Sequence, residues 1–265
     1  MDSDLLKHTE LGAVLRLTLN DPARFNALSN EMIDALTVEI ALAAQRSDVA
    51  VVVLAAAGKA FCAGHDLRQM QAARQAADGG RHSFETLFAS CGAMMQSLAA
   101  LPQIVIAEVQ GVATAAGCQL VASCDMVVAA QGAKFGVNGV NLGLFCSTPM
   151  VALTRKVPPA VALEMLTTGE FISADRAREV GLVNRVVSAG DLRDATDRLA
   201  ATVAGKLGLA LILGKAAFRA QQGLPVGAAY DLAAKVMVRN MMQPETAEGI
   251  AAFLEKRPPN WPPKT

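Results

Sequence analysis

Two short loops of this chain combine very small residues with a few groups able to do chemistry. AFCAGHD, residues 60–66, carries Cys62, His65 and Asp66, and ATAAGCQ, residues 113–119, carries Cys118 and the amide Gln119. Each follows an apolar run and leads into a helix-like stretch. At a strand-to-helix junction the first backbone N–H groups have no partner and sit at the positive end of the helix dipole. Two such junctions side by side would offer two amides to one oxygen gaining negative charge. A donor of this kind is typically worth about 3 kcal/mol in the transition state. The same residues also fit plain packing, because alanine and glycine let a helix approach a sheet closely.

Other reactive side chains have competing structural readings. FCSTP, residues 145–149, places Cys146, Ser147 and Thr148 where they could hold a water. The stretch equally suits a hydroxyl N-cap with Pro149 in the first helical turn. Cys62 and His65 suggest a thiol–imidazole pair, set against an inward-packed thiol. Asp66 reads as a helix N-cap or loop brace rather than a base. Between Glu108 and Glu164 the only acid is Asp125. No cluster of Cys, His, Asp and Glu has metal-ligand spacing.

The elements that must position these loops alternate. VLRLTLN (14–20) has the period of a half-buried strand, and Asp21-Pro22 turns it. Ser29 caps a helix with Ile33, Leu36 and Ile40 on one face. The runs at 49–58, 104–109 and 125–130 read as buried strands. A polar helix follows the first loop, residues 78–83 form a break, and a helix spans 84–100. Strands alternating with helices imply βαβ units in a partly parallel sheet. Beyond residue 146, apart from LVNRVV (182–187), helices are expected at 148–156, 160–168, 173–180, 190–206, 209–222, 226–241 and 245–256.

Composition narrows the function. Lys plus Arg and Asp plus Glu both number 24 in 265 residues, so the net charge is zero. No electrostatic case arises for nucleic acid or an anionic membrane. The five cysteines are odd in number with no C-x-x-C pair, which suggests reduced thiols. The N-terminal MDSDLLKHTELG has no secretion-signal pattern, and no apolar run approaches ~20 residues. The expectation is a cytoplasmic protein with no membrane partner.

The stretches LNDPARFNALSNEMIDAL, AFCAGHDL, VQGVATAAGCQLVASCDMVVA, KFGV and EGIAAFLEKRPP, in this order over about residues 10 to 260, resemble the crotonase superfamily, the enoyl-CoA hydratases and isomerases. The resemblance implies an α/β crotonase fold with a ββα spiral core (1–195). A C-terminal helical region (196–265) would form trimers, often doubled into hexamers. It implies a CoA thioester as substrate or ligand, with no separate cofactor. The N–H groups of His65 and Ala116 would form the oxyanion hole. By the same resemblance Arg24 approaches the CoA phosphates, and Ala27 and Leu28 lie beside pantetheine and adenine. The backbone of Ala63, His65, Asp66 and Leu67 would line that groove. Lys256 and Arg257 either add charge from a neighbouring subunit or are simply solvated.

The sequence departs from the family where hydratases carry two glutamates. Gln119 stands in GCQL where relatives have GCEL, and Gly139 in FGVNG where relatives have FGQPE. Neither side chain can transfer a proton. Ser147 occupies a third site at which some relatives carry an aspartate. Losing general acid–base help costs about 10²–10⁴-fold. The implied function is an acyl-CoA-handling protein, nominally of the enoyl-CoA hydratase class. It would stabilise a thioester enolate without the two-glutamate mechanism; the alternative is a non-catalytic acyl-CoA binder.

Overall fold

A computed structural model describes residues 5–261. The chain opens with an antiparallel hairpin of β1 (Leu6–Leu11) and β2 (Val14–Leu19). A 3-10 turn at Pro22–Arg24 leads to α1 (Asn30–Ala44). Ser29 caps α1, its hydroxyl accepting from the Met32 N–H, and Met32, Ile33, Leu36 and Ile40 form the buried stripe.

The chain then winds. β3 (Val51–Ala56) is followed by β4 (Ala60–Cys62), α2 (Leu67–Ala73) and α3 (Arg81–Ala100). β5 (Ile104–Val109), β6 (Val112–Thr114) and α4 (Ala116–Ser123) make the next turn. β7 (Met126–Ala130), β8 (Lys134–Gly136), α5 (Ser147–Leu153) and α6 (Pro159–Thr168) make the third. Each turn lays its longer strand in a six-stranded sheet, ordered β1-β2-β3-β5-β7-β10, and its short strand in a four-stranded sheet, β4-β6-β8-β9. The closing pieces are β9 (Ile172–Ser173), α7 (Ala174–Glu179) and β10 (Arg185–Val187). Among the described residues β1–β2 and β8–β9 pair antiparallel and the other neighbours are parallel.

The larger sheet is covered on both faces, as a parallel sheet requires. Val52, Leu54, Val105, Ala107, Val127 and Ala129 face the main core. Val51, Val53, Ile106 and Val128 face outward onto Leu192, Ala195, Leu199 and Ala200 of α8 (Leu192–Ala204). The domain boundary expected after residue 195 therefore falls inside a helix that belongs to the core. Buried Arg16 of β2 ties the two together, pairing with Glu108 of β5 at 2.8 Å and Asp197 of α8 at 2.5 Å.

α9 (Gly208–Gln221), α10 (Val226–Met241) and α11 (Pro244–Leu254) follow. α10 buries none of its residues within the chain. α3 begins three residues before the expected start. Gly80 adopts φ +86 there, and the Asp78 carboxylate accepts from the N–H groups of Gly80 and His82. Among the described residues no single helix is long and apolar enough to cross a membrane.

Candidate functional site

β4 and β6 are parallel neighbours, so the loops that leave them run side by side. The contact is made at Gly64, whose φ is +86. A Cβ there would lie 2.9 Å from the Ala115 Cβ and 3.2 Å from the Ala116 nitrogen. Only glycine permits both the conformation and the approach. Ala116 is the first residue of α4, and the Ala115 N–H before it donates to the Gly136 carbonyl at 2.9 Å. Ala115 itself sits at φ +49, ψ −120, a strained conformation for an L-residue costing roughly 1–3 kcal/mol. No acceptor among the described residues takes the N–H of His65 or of Ala116. Two unpaired amides on touching loops are the donor set that an oxyanion needs.

The His65 ring turns inward and meets Phe88 of α3 edge-on, with centroids 5.5 Å apart. Its Nε2 is buried with no partner, and burial pushes the imidazole down to about 4. It is neutral at pH 7. Burial also pushes the Cys62 thiol up to about 12, so these two residues form no thiolate–imidazolium pair. Asp66 is the N-cap of α2, its carboxylate accepting from the N–H groups of Arg68 and Gln69.

Gln119 lies in the first turns of α4, 5% exposed, and its Oε1 has no donor. Gly139 lies in a 3-10 turn, Asn138–Leu142. A Cβ on Gly139 would come within 2.4 Å of the Leu144 carbonyl oxygen and 2.8 Å of the Cys146 Sγ. This position has no room for a side chain. Ser147 is exposed as the first residue of α5, and its hydroxyl reaches only the Phe145 carbonyl at 3.4 Å. The hydroxyl N-cap expected at FCSTP is absent: Cys146 holds that position and makes no side-chain cap.

Asp125, the one acid between Glu108 and Glu164, is fully engaged. It accepts from the Val105 N–H at 2.8 Å, Lys215 at 2.6 Å and Arg219 at 2.7 Å.

The expected CoA groove is tied together internally. The N–H groups of Ala27, Leu28, Ala63 and Asp66 donate to the carbonyls of Arg24, Gly64, Phe25 and Leu28 respectively. Those amides are spent on the fold, and the Leu28 side chain is fully buried. Leu67 is exposed. Arg24 is partly exposed, bonded to Asp21 at 2.6 Å and 3.6 Å from Asp66. Arg257 is held by Glu248 and Glu255, both at 2.6 Å.

Sequence reasoning passed over Asn26. It is fully buried at φ +53, and its Nδ2 donates to the carbonyls of Ala57 and Ala60 at 2.8 and 2.9 Å. Its Oδ1 accepts from the Asp21 N–H. One amide thus fastens the Arg24 segment to the chain entering the first loop. The signal was present: asparagine tolerates this backbone region and follows a proline turn.

The sequence profile of the enoyl-CoA hydratase/isomerase family matches residues 9–264. The chain belongs to that family, and its architecture is the crotonase fold. It is 42% identical over 265 aligned residues to the mitochondrial enoyl-CoA hydratase domain-containing protein 3 of Xenopus laevis, covering 98% of this chain and 88% of that one. The crystal structure of an enoyl-CoA hydratase from Mycobacterium smegmatis superimposes with a TM-score of 0.93 at 48% identity, covering 98% and 99%. That of human enoyl Coenzyme A hydratase domain-containing protein 3 gives 0.92 at 42%, covering 97% and 100%. These comparisons correct the expected cytoplasmic location. The Xenopus, rat and human relatives are named as mitochondrial proteins.

Proposed function

We propose that this protein binds acyl-CoA thioesters and stabilises their enolates at the amides of His65 and Ala116, without the carboxylate pair that adds water to a double bond. The observation that carries the reading is the contact of Gly64 with Ala115 and Ala116, which holds two unpaired amides on adjoining loops. The relatives named as enoyl-CoA hydratases support a thioester as the ligand. Arg24, exposed beside the groove, has the charge and donors to meet a phosphate.

A second reading, a binder with no turnover, is favoured by Gln119 and Gly139 at the positions of the two acids. The test of both is calorimetric binding of butyryl-CoA alongside hydration of crotonyl-CoA followed by thioester absorbance. Binding with negligible hydration is expected. Absence of binding would remove the reading, and brisk hydration would remove the claim about the acids.

Assembly into trimers or hexamers is part of the proposal. Phe218, Tyr230, Met237, Phe253 and Leu254 of α9–α11 are exposed in the single chain, more apolar surface than solvated helices normally carry. Sedimentation equilibrium is expected to give three or six copies; a monomer at micromolar concentration would refute it.

A further inference from the structure

α9, α10 and α11 hold to one another more than to the rest of the chain. Among the described residues, neither apolar core contains a member of these three helices. α9 buries Leu213 and Lys215, α11 buries Ala252, and α10 buries nothing. Within the unit, Asn240 of α10 donates through Nδ2 to the Thr246 hydroxyl of α11 at 3.0 Å, and the Trp261 indole N–H donates to the Glu245 carbonyl at 3.2 Å. The unit joins α8 through residues 205–207, where the chain bends by 100°. An arm with so little apolar burial against the body opens readily unless another contact fixes it.

That contact is charged. Asp125, between α4 and β7, accepts from Lys215 Nζ at 2.6 Å and from Arg219 at 2.7 Å. The two cations are four residues apart and so share one face of α9. Lys215 Nζ also donates to the Gln103 carbonyl at 2.7 Å. Both anchor points are themselves fastened to the body. Asp125 exchanges two hydrogen bonds with Val105 of β5, and its carbonyl accepts from Lys156 at 3.2 Å. The buried Gln103 amide donates to the carbonyls of Ala43 and Arg46 at 2.7 and 2.9 Å, around the end of α1.

We infer that Asp125 is the latch that seats the α9–α11 arm on the body of its own chain, and that loss of the latch releases the arm as a unit about residues 205–207 while both sheets stay folded. The Lys215 side chain is 6% exposed, so its ammonium has left water and depends on the acceptors that Asp125 and Gln103 supply. Among the described residues, no other carboxylate pairs with Lys215 or Arg219. Ile212 and Phe218, on the same helix, stay exposed, so charge rather than apolar area carries the docking. Such docking is conditional. Two apolar residues of equal volume could hold the arm as well, whereas removing one member of a buried ion pair strands the other. The inference stands apart from the thioester reading above.

The test is amide hydrogen exchange of the whole protein, read by mass spectrometry at pH 7. Lys215→Met keeps the stem of the side chain and removes its charge. Peptides from residues 208–254 should then exchange at least about 100-fold faster than in wild type. Arg219→Gln should accelerate the same peptides by roughly fivefold, because the guanidinium is 36% exposed and better screened. In both variants, peptides from β3, β5 and β7 should keep wild-type rates within about threefold. Unchanged exchange over 208–254 in both variants overturns the inference. Acceleration of arm and sheet peptides by one common factor also overturns it, since the arm would then leave only when the whole chain unfolds. If K215M does not fold, R219Q decides alone by the same two criteria.

Discussion

Gly117 faces the carbonyl of Cys62 so closely that a Cβ on Gly117 would lie 2.2 Å from that oxygen. This is the second point, after Gly64, at which the two loops touch. It fixes the first turn of α4 against the end of β4. Overpacking in an enclosed site costs typically 1–3 kcal/mol. Gly117→Ala is therefore expected to lower stability by about 2 kcal/mol in urea unfolding and weaken butyryl-CoA binding at least tenfold. Wild-type stability and affinity in this variant would show that the loops tolerate separation.

Gln119 and Gly139, where the proposed reading places the absent acids, behave differently. Gly139→Glu must displace the Leu144 backbone, so it should destabilise by about 1–3 kcal/mol and bring no hydration of crotonyl-CoA. Gln119→Glu conserves volume and should fold. Its carboxyl enters a buried place with no donor, so its pKa rises above the ordinary carboxylate range. The folded state then holds more protons than the unfolded one, and stability falls as pH rises through that interval. Urea midpoints of Q119E relative to wild type should be lower at pH 8 than at pH 5; the reverse order would mean that the site supplies a donor to the carboxylate.

His65 sets an acid limit. Its folded-state value is pushed down to about 4 by burial, below the unfolded value of roughly 6.5. The unfolded chain binds the proton first, so this contribution is present above pH 6.5 and is lost as pH falls toward 4. The loss amounts to about 3 kcal/mol at most, at roughly 1.4 kcal/mol per unit. His65→Gln should show a shallower decline than wild type across that window. Parallel curves would indicate that the ring is already solvated.

Asn26 should prove costly to remove. Asn26→Ala leaves the Ala57 carbonyl and the Asp21 N–H without a partner, while the Ala60 carbonyl keeps the Gln110 side-chain amide at 3.0 Å. Unsatisfied buried groups cost about 1–3 kcal/mol each before relaxation. A total loss of about 3 kcal/mol is expected by urea unfolding, and a change below about 0.5 kcal/mol would mean that water replaces the amide.

Much of the architecture was legible because the long strands and helices carry their own periodicity. Residues 14–20, 49–58, 104–109, 125–130 and 182–187 all supply strands of the large sheet. The small sheet was not legible, since β4, β6, β8 and β9 are two or three residues long and too short to show any period. β1 was also missed, because every residue in it but Leu6 is exposed. At the site, small-residue loops were readable in themselves, whereas their meeting at Gly64 and Gly117 is a long-range fact. The crowding at Gly139 depends on a carbonyl and a thiol from the chain following the turn. Spacing alone could not reveal it.

Because the proposed carbonyl-polarising groups are main-chain amides, no single codon encodes them. Replacing His65 or Ala116 by any residue except proline leaves an N–H in the same location, provided the flanking glycines stay. The side chains around the proposed thioester site are thus free to diverge while the proposed donor pair persists.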